Sequence, residues 1–218
     1  NLTPPLSFLA GVWAQIFRNY PDDKQESVSS ENNPENPSSG VREIPFSKEI
    51  YIEQEDFKPE ANRKFFRLTI GKEVRLKSAY IIKATSVVYN KDNSIKEVLC
   101  TYDPKSRSGS GTEESQRKVK GTLHWVSKKT AIKVQVNQYD RLFEHPSPAD
   151  AQSEEELMSM INPNSSTTCF AYAEPSLSKA QAGQKFQFQR LGYFVVDNNT
   201  PSKIVFNKTV GLRDNWKK

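Results

Sequence analysis

Histidine, cysteine, glycine and long apolar runs are what this 218-residue chain is short of. It holds two histidines, two cysteines and nine glycines, and each scarcity closes a class of function. Cys100 and Cys169 stand far apart, in neither a C-x-x-C pair nor a metal-ligand spacing, which reads as two reduced core thiols in a reducing compartment, the cytoplasm. His124, in "LHWVS", falls in a strand pattern between Leu123 and Trp125 and reads as a hydrogen-bonded core imidazole, while His145, in "FEHPSP", reads as a loop residue before a turn. No serine sits in G-x-S-x-G and no glycine-rich loop precedes a helix, and the acids Glu154 to Glu156 read as the solvated face of a helix rather than a metal site. A self-contained catalytic site, a metal and a cofactor are therefore not expected. No run approaches the ~20 apolar residues a membrane helix needs, and the start lacks the basic-then-apolar order of a signal peptide, so a membrane partner is not expected either. The chain opens at Asn1, without a methionine, as a piece of something longer does.

What is there is enough to fold. The chain is 35% hydrophobic and 11% aromatic, and its thirteen prolines point to many loops joining short elements. Lys and Arg total 31 against 26 Asp and Glu, a formal charge of +5. That excess points to a polyanion if it is concentrated on one surface.

Along the chain, Phe8 to Phe17 is one apolar segment that fits either a short helix or a buried strand. Pro21 to Gly40 has almost nothing to bury and reads as an extended connector over a surface. Strand signals then repeat: "FSKEIYIE" around Ile50 and Ile52, Val74 to Ala84, and "TSVVYN" and "KEVLCTY" flanking a hairpin turn at Asn90 to Ser94. In "AIKVQVNQYDRLF", Ile132, Val134 and Val136 alternate with Lys133, Gln135 and Asn137, the pattern of a half-buried strand. The one helix expected is "SPADAQSEEELMSMI", with Ser147 as cap, Pro148 in the first turn and Asp150 completing an S-x-x-D box. Arg107 to Gln116 has no apolar residue to anchor it and reads as a mobile loop. Many short strands, frequent turns and one helix indicate an all-β protein of two antiparallel barrels.

One stretch concentrates the charge. "KFFRLTIGKEVRLKSAYIIKA", Lys64 to Ala84, sets Arg67, Lys72, Arg75, Lys77 and Lys83 among apolar residues with Glu73 as its only acid. A period of two puts Val74 and Leu76 on one face and Arg75 and Lys77 on the other. Upstream, Arg63, Lys64 and Arg67 interleave with Phe65 and Phe66. Guanidinium and ammonium groups beside aromatic planes suit splayed single-stranded RNA: charge for phosphates, planes for stacking, forks for base edges.

Six longer words follow one another in order: "GVREIPFSKEIYIEQEDF", "RKVKGTLHWVS", "YDRLF", "AEPSL", "FQFQRLGYF" and "VFNKTVGLRDNW". Together, from about Asn19 to the end, they resemble the C-terminal anticodon-binding region of the glutaminyl-tRNA synthetases, and the related glutamyl enzymes of eukaryotes fit less well. The resemblance implies two six-stranded barrels packed together, gripping an unstacked anticodon loop between them. The boundaries expected are 1–39 for a lead segment and connector, 40–121 with 203–218 for the first barrel, and 122–202 for the second. By the same resemblance, Arg75 and Lys77 hold the first anticodon base and its phosphate. Arg67 reads a guanine at the third position, and Gln187 and Arg190, with Lys64 opposite, form the pocket for a middle uridine. Lys64 stands where some members carry glutamine and Lys77 where arginine is usual, so a planar fork there becomes a point charge. Gln187 and Arg190, three apart, need a bulge or strand end between them to face one base. The H-x-G-H and K-M-S-K-S signatures of a class I synthetase are absent. The resemblance thus implies the tRNA-reading part, a monomer, of an ATP-dependent glutamine–tRNA ligase whose ATP and magnesium are used elsewhere. The alternative on the same barrels is a stand-alone ribosomal-RNA-binding protein of the 5S-RNA-binding type.

Overall fold

The computed structural model of the protein describes residues 3–6, 8–10, 12–33, 36–188, 190–198 and 203–212. In chain order the strands are β1 (Thr3–Leu6), β2 (Phe8–Ala10), β3 (Val12–Phe17), β4 (Glu26–Glu31), β5 (Val41–Phe46), β6 (Glu49–Glu53), β7 (Glu73–Leu76), β8 (Ile81–Tyr89), β9 (Ile95–Tyr102), β10 (Thr122–Leu123), β11 (Val126–Ser127), β12 (Ile132–Tyr139), β13 (Ser166–Ala173), β14 (Lys185–Phe188), β15 (Gly192–Val196) and β16 (Val205–Val210). Two short helices, α1 (Glu113–Gln116) and α2 (Glu154–Ser159), interrupt them. The described residues of the ambiguous apolar segment near the start are strand, in two pieces, Phe8–Ala10 and Val12–Phe17.

Fourteen of the sixteen strands form two sheets of seven, and β4 and β5 pair with each other as a third, two-stranded sheet. The first runs β10-β7-β8-β9-β3-β6-β11 and the second β1-β14-β15-β16-β12-β13-β2. In each of these two seven-stranded sheets the edge strands are neighbours in the chain. A flat sheet of seven strands would hold its edges roughly 29 Å apart, whereas the short link from Leu123 to Val126 reaches only about 10 Å. Both sheets must therefore curl, and the architecture is all-β and barrel-like. Each sheet has seven strands where six were expected, and each is mixed: β3 runs parallel to β9, β7 to β10, β12 to β16 and β1 to β14.

Two cores fill the curls. The first gathers Phe17, Tyr20, Phe46, Ile50, Ile52, Leu76 and Trp125, and the second Val134, Val136, Phe186, Phe188, Phe194 and Phe206. The alternation read in the sequence sets these faces, since Ile50 and Ile52 of β6 and Val134 and Val136 of β12 point inward.

Several boundaries shift. The lead segment is no appendage: β1 and β2 belong to the second sheet and β3 to the first. The connector folds as strand β4, paired with β5, its Val28 buried in the first core. Its burial is carried by polar groups, with Ser78 Oγ donating to Ser30 Oγ at 3.0 Å and the hydroxyls of Tyr20 and Tyr80 donating to Glu26 at 2.9 Å each. β10 and β11 complete the first sheet, so that barrel extends to Ser127. β16 was expected in the first barrel and lies in the second, because Phe206 packs edge-on against Phe186 and Phe188, with ring centroids 5.7 and 5.2 Å away. The word "RDNW" lies outside the described residues.

Val74 to Ala84 is two strands, β7 and β8, joined by a tight turn in which Ser78 takes φ 59°. The helix α2 begins six residues later than expected. Ser147 makes no side-chain cap; it precedes a single 3-10 turn, and Ser153 caps α2 by accepting from the Glu156 amide at 3.1 Å. The loop 107–116 carries α1, capped by Thr112, and is anchored by polar contacts described below.

Candidate nucleic-acid interface

The turn Gln54–Asp56 after β6 and the segment 62–68 face each other as a stapled pair. Leu68 donates its amide to the Asp56 carbonyl at 3.0 Å, and Lys58 donates to the Leu68 carbonyl at 3.1 Å. Between them lies a shallow depression lined by Glu55, Lys58, Lys64, Phe65, Phe66 and Arg67. Lys58 Nζ stands 5.3 Å from the Phe65 ring centroid and Lys120 Nζ 5.8 Å from that of Phe66, a residue 53% exposed. Gly121 permits this approach: a Cβ there would meet the Phe66 carbonyl oxygen at 2.4 Å. The aromatic planes and cations that the sequence placed side by side are thus on one surface.

Arg67 is held along one edge. Its Nε lies 3.3 Å from Asp56 Oδ1 and its Nη1 donates to the Glu55 carbonyl at 3.0 Å, while the side chain stays 37% exposed. The carbonyl bond uses one of five N–H groups, and the ion pair turns Nε towards Asp56. Three are left for a ligand, enough for the two parallel donors that the O6 and N7 edge of guanine accepts.

Asp56, wholly buried, also receives Arg190. Nη2 of Arg190 donates to Asp56 Oδ1 and Oδ2 at 2.9 and 2.8 Å and to Glu53 Oε2 at 2.5 Å. Burial pushes the Asp56 and Glu53 carboxyls above the usual carboxylate range, with Arg190 pulling the other way. Arg190 resists burial through the same two acids, which hold its guanidinium above its ordinary value. Arg190 comes from the second sheet's side and the acids from the first, so this cluster crosses between the barrels.

The chain reaches that place because β14 stops at Phe188. Arg190 has φ 69° and Leu191 donates to the Phe188 carbonyl at 3.0 Å, closing a turn before β15. The strand end needed between Gln187 and Arg190 is present. Gln187, half-buried, lies on β14 opposite Tyr193.

Arg75 and Lys77 are occupied elsewhere. Nη1 of Arg75 donates to the Ser106 carbonyl and Ser108 Oγ at 2.8 and 3.2 Å, and Nη2 to the carbonyls of Ser115 and Arg117 at 2.9 and 3.1 Å. Four of its five donors thus hold the loop around α1. Burial lowers its pKa, with Arg117 adding to the effect. Lys77, in the turn after β7, donates its amide to the Leu123 carbonyl and accepts from Trp125 Nε1 at 3.0 Å. Its ammonium is half-buried near Arg42, Glu174 and Glu31, and burial depresses its pKa.

That second cluster also joins the barrels. Arg42 of β5 donates from Nε and Nη2 to Glu174, at the end of β13, at 2.8 and 3.1 Å, and the Tyr51 and Tyr172 rings meet with centroids 4.5 Å apart. His124 lies buried at this seam; burial, then Lys77, Arg190 and Arg42, pulls its imidazole down to about 3. The six sequence-derived positions therefore divide: Lys64, Arg67 and Arg190 gather about the turn 54–56, Gln187 is on the strand leading to Arg190, and Arg75 and Lys77 belong to two other clusters. Sequence reasoning missed the acids, Glu53, Asp56 and Glu174, although "EQED" beside an arginine-rich stretch is a signal for ion-pair partners.

Two family models, both described as the anti-codon binding domain of class I tRNA synthetases (E and Q), match residues 13–103 and 122–197. A glutamine–tRNA ligase of Rhodopirellula baltica is 51% identical over 201 residues, 92% of this chain and 33% of that protein. One from Salmonella newport is 46% identical over 205 residues, 93% of this chain and 36% of that protein. The chain spans about a third of the length of the curated relatives it matches.

Proposed function

Because this chain belongs to the anticodon-binding domains of the class I tRNA synthetases for glutamate and glutamine, we propose that it reads the anticodon loop of glutamine tRNA for a glutamine–tRNA ligase. The observation that carries this reading is Arg67, fixed along one edge by Asp56 and Glu55 and presenting its other edge beside Lys64, Phe65 and Phe66. In that role Arg67 forks onto a guanine at the third position. Gln187, Arg190 and Lys64 serve the middle uridine, whose mixed donor and acceptor edge an amide matches. Arg75 and Lys77 act at the first base through the surfaces they hold, Arg75 by fixing the loop around α1. The attachment of glutamine, with its ATP and magnesium, belongs to the remainder of such an enzyme. The chain acts as a monomer in the cytoplasm; no helix among the described residues is long and apolar enough to cross a membrane.

Titration of the chain with glutamine tRNA, with third-position variants of it and with 5S RNA tests the reading. Arg67→Ala is expected to cost about 1–3 kcal/mol on the cognate tRNA and to shrink the gap to the variants. Lys72→Ala is expected to weaken all tRNAs alike and to lower the salt slope by roughly one unit or less. Equal losses on cognate and variant tRNA for Arg67→Ala, or tighter binding to 5S RNA, would overturn it.

A further inference from the structure

Asp56 is an unusual place to put a carboxylate. Its side chain is fully buried, and its Oδ1 takes both Arg190 Nη2, at 2.9 Å, and Arg67 Nε, at 3.3 Å. Its backbone carbonyl holds the amide of Leu68, the residue after Arg67. Asp56 is therefore tied to Arg67 through side chain and main chain at once, while Arg190 reaches it from the other barrel. With Glu53 the cluster holds two guanidinium groups and two carboxyls, compensating charge that burial would otherwise make costly. Neither arginine can turn towards a ligand without changing what Asp56 offers the other.

We propose that Asp56 is a positioning residue for base recognition: it sets the edges of Arg67 and Arg190 together, so that the third and middle anticodon bases are read as one coupled unit. This rests on the reading of Arg67 and Arg190 as base readers and adds a residue that touches neither base. When one base is wrong, its arginine relaxes onto the shared carboxylate and loosens the other's hold, so a second wrong base then costs less.

The consequence is measurable in the unmodified chain. Glutamine tRNA transcripts changed at the third base, at the middle base and at both are titrated against it, and the combined loss is expected to fall short of the product of the single losses by fivefold or more. Pairs of first- and third-base changes, which do not meet at Asp56, are expected to multiply. In Asp56→Asn the side chain keeps its shape and loses its charge. Discrimination at both positions is expected to fall at least fivefold, with affinity for the doubly changed tRNA altered less than twofold. The third–middle coupling should vanish.

Multiplying losses in the unmodified chain would sink the proposal without calling on any variant. So would an Asp56→Asn protein, folded by circular dichroism, that weakens on every tRNA by the same factor, since that is what a purely structural ion cluster does. Arg67→Ala and Arg190→Ala run alongside separate this failure from failure of the reading beneath it. If both leave discrimination intact, the base readers are misassigned. If both abolish it while Asp56→Asn does not, Asp56 alone is.

Discussion

At the scale of single residues, Arg75 separates two roles that a sequence cannot tell apart. A cation on the outer face of a strand serves a ligand or serves its own chain, and the four hydrogen bonds from Arg75 to Ser106, Ser108, Ser115 and Arg117 assign it to the chain. Arg75→Ala is expected to raise the rate of limited tryptic cleavage within residues 105–118 tenfold or more, while the Arg67-dependent discrimination between tRNAs persists. Unchanged cleavage with lost discrimination would return Arg75 to the base. The cations of the site were legible because Arg190 sits in "FQFQRLGYF", one of the six ordered words, and Lys64 and Arg67 flank Phe65 and Phe66 in the stretch that concentrates the charge. Their partners were not, since Asp56 and Glu174 become meaningful only when the fold brings Asp56 to Arg190 and Arg42 to Glu174 across more than a hundred positions. Residue type shows that a charge exists; burial and a partner decide what it does.

At the scale of elements, the strands were legible where apolar residues alternate and illegible where polar ones carry the burial. β9 and β12 announce themselves through Val98 and Cys100 or Val134 and Val136. β4 does not, because its inward positions include Ser30 and the half-buried Glu26, which are paid for by hydroxyl groups from Tyr20, Ser78 and Tyr80 rather than by apolar contact. The helix start was misplaced for a related reason. Two serines, Ser147 and Ser153, each precede a glutamate or aspartate three residues on, and only the second is followed by a run of helix formers without a proline. Ser153→Ala is expected to cost about 1 kcal/mol, read from the denaturant midpoint at constant slope. Ser147→Ala should stay within about 0.5 kcal/mol. A larger loss at Ser147 would mean that the 3-10 turn, not α2, organises this corner.

At the scale of the whole molecule, the seam between the barrels carries charge on both sides of His124. The unfolded imidazole takes a proton near its ordinary value of about 6.5, and the folded one only at about 3. The unfolded chain therefore binds more protons across that interval, and stability falls as pH drops through it, by up to about 1.4 kcal/mol per pH unit. Glu53 and Asp56 act with the opposite sign. Their raised values mean that the folded state takes up protons first as pH falls, so their contribution is greatest below the ordinary carboxylate range and is lost as pH rises through the raised values. His124→Gln is expected to flatten the acid side of the stability curve between pH 6.5 and the carboxylate range, measured by thermal melting. An unchanged slope would place the acid-labile group elsewhere. The way the lead segment is divided has a consequence for how the protein is made. Thr3 pairs with Phe186, about 180 residues further along, so at roughly 5–20 residues per second β1 waits on the order of 10–40 s for its neighbour. β3 and the other strands of the first sheet have all been synthesised by Ser127. During synthesis one barrel can close early while β1 and β2, still waiting for β14 and β13, leave two strand edges open to whatever binds nascent chains.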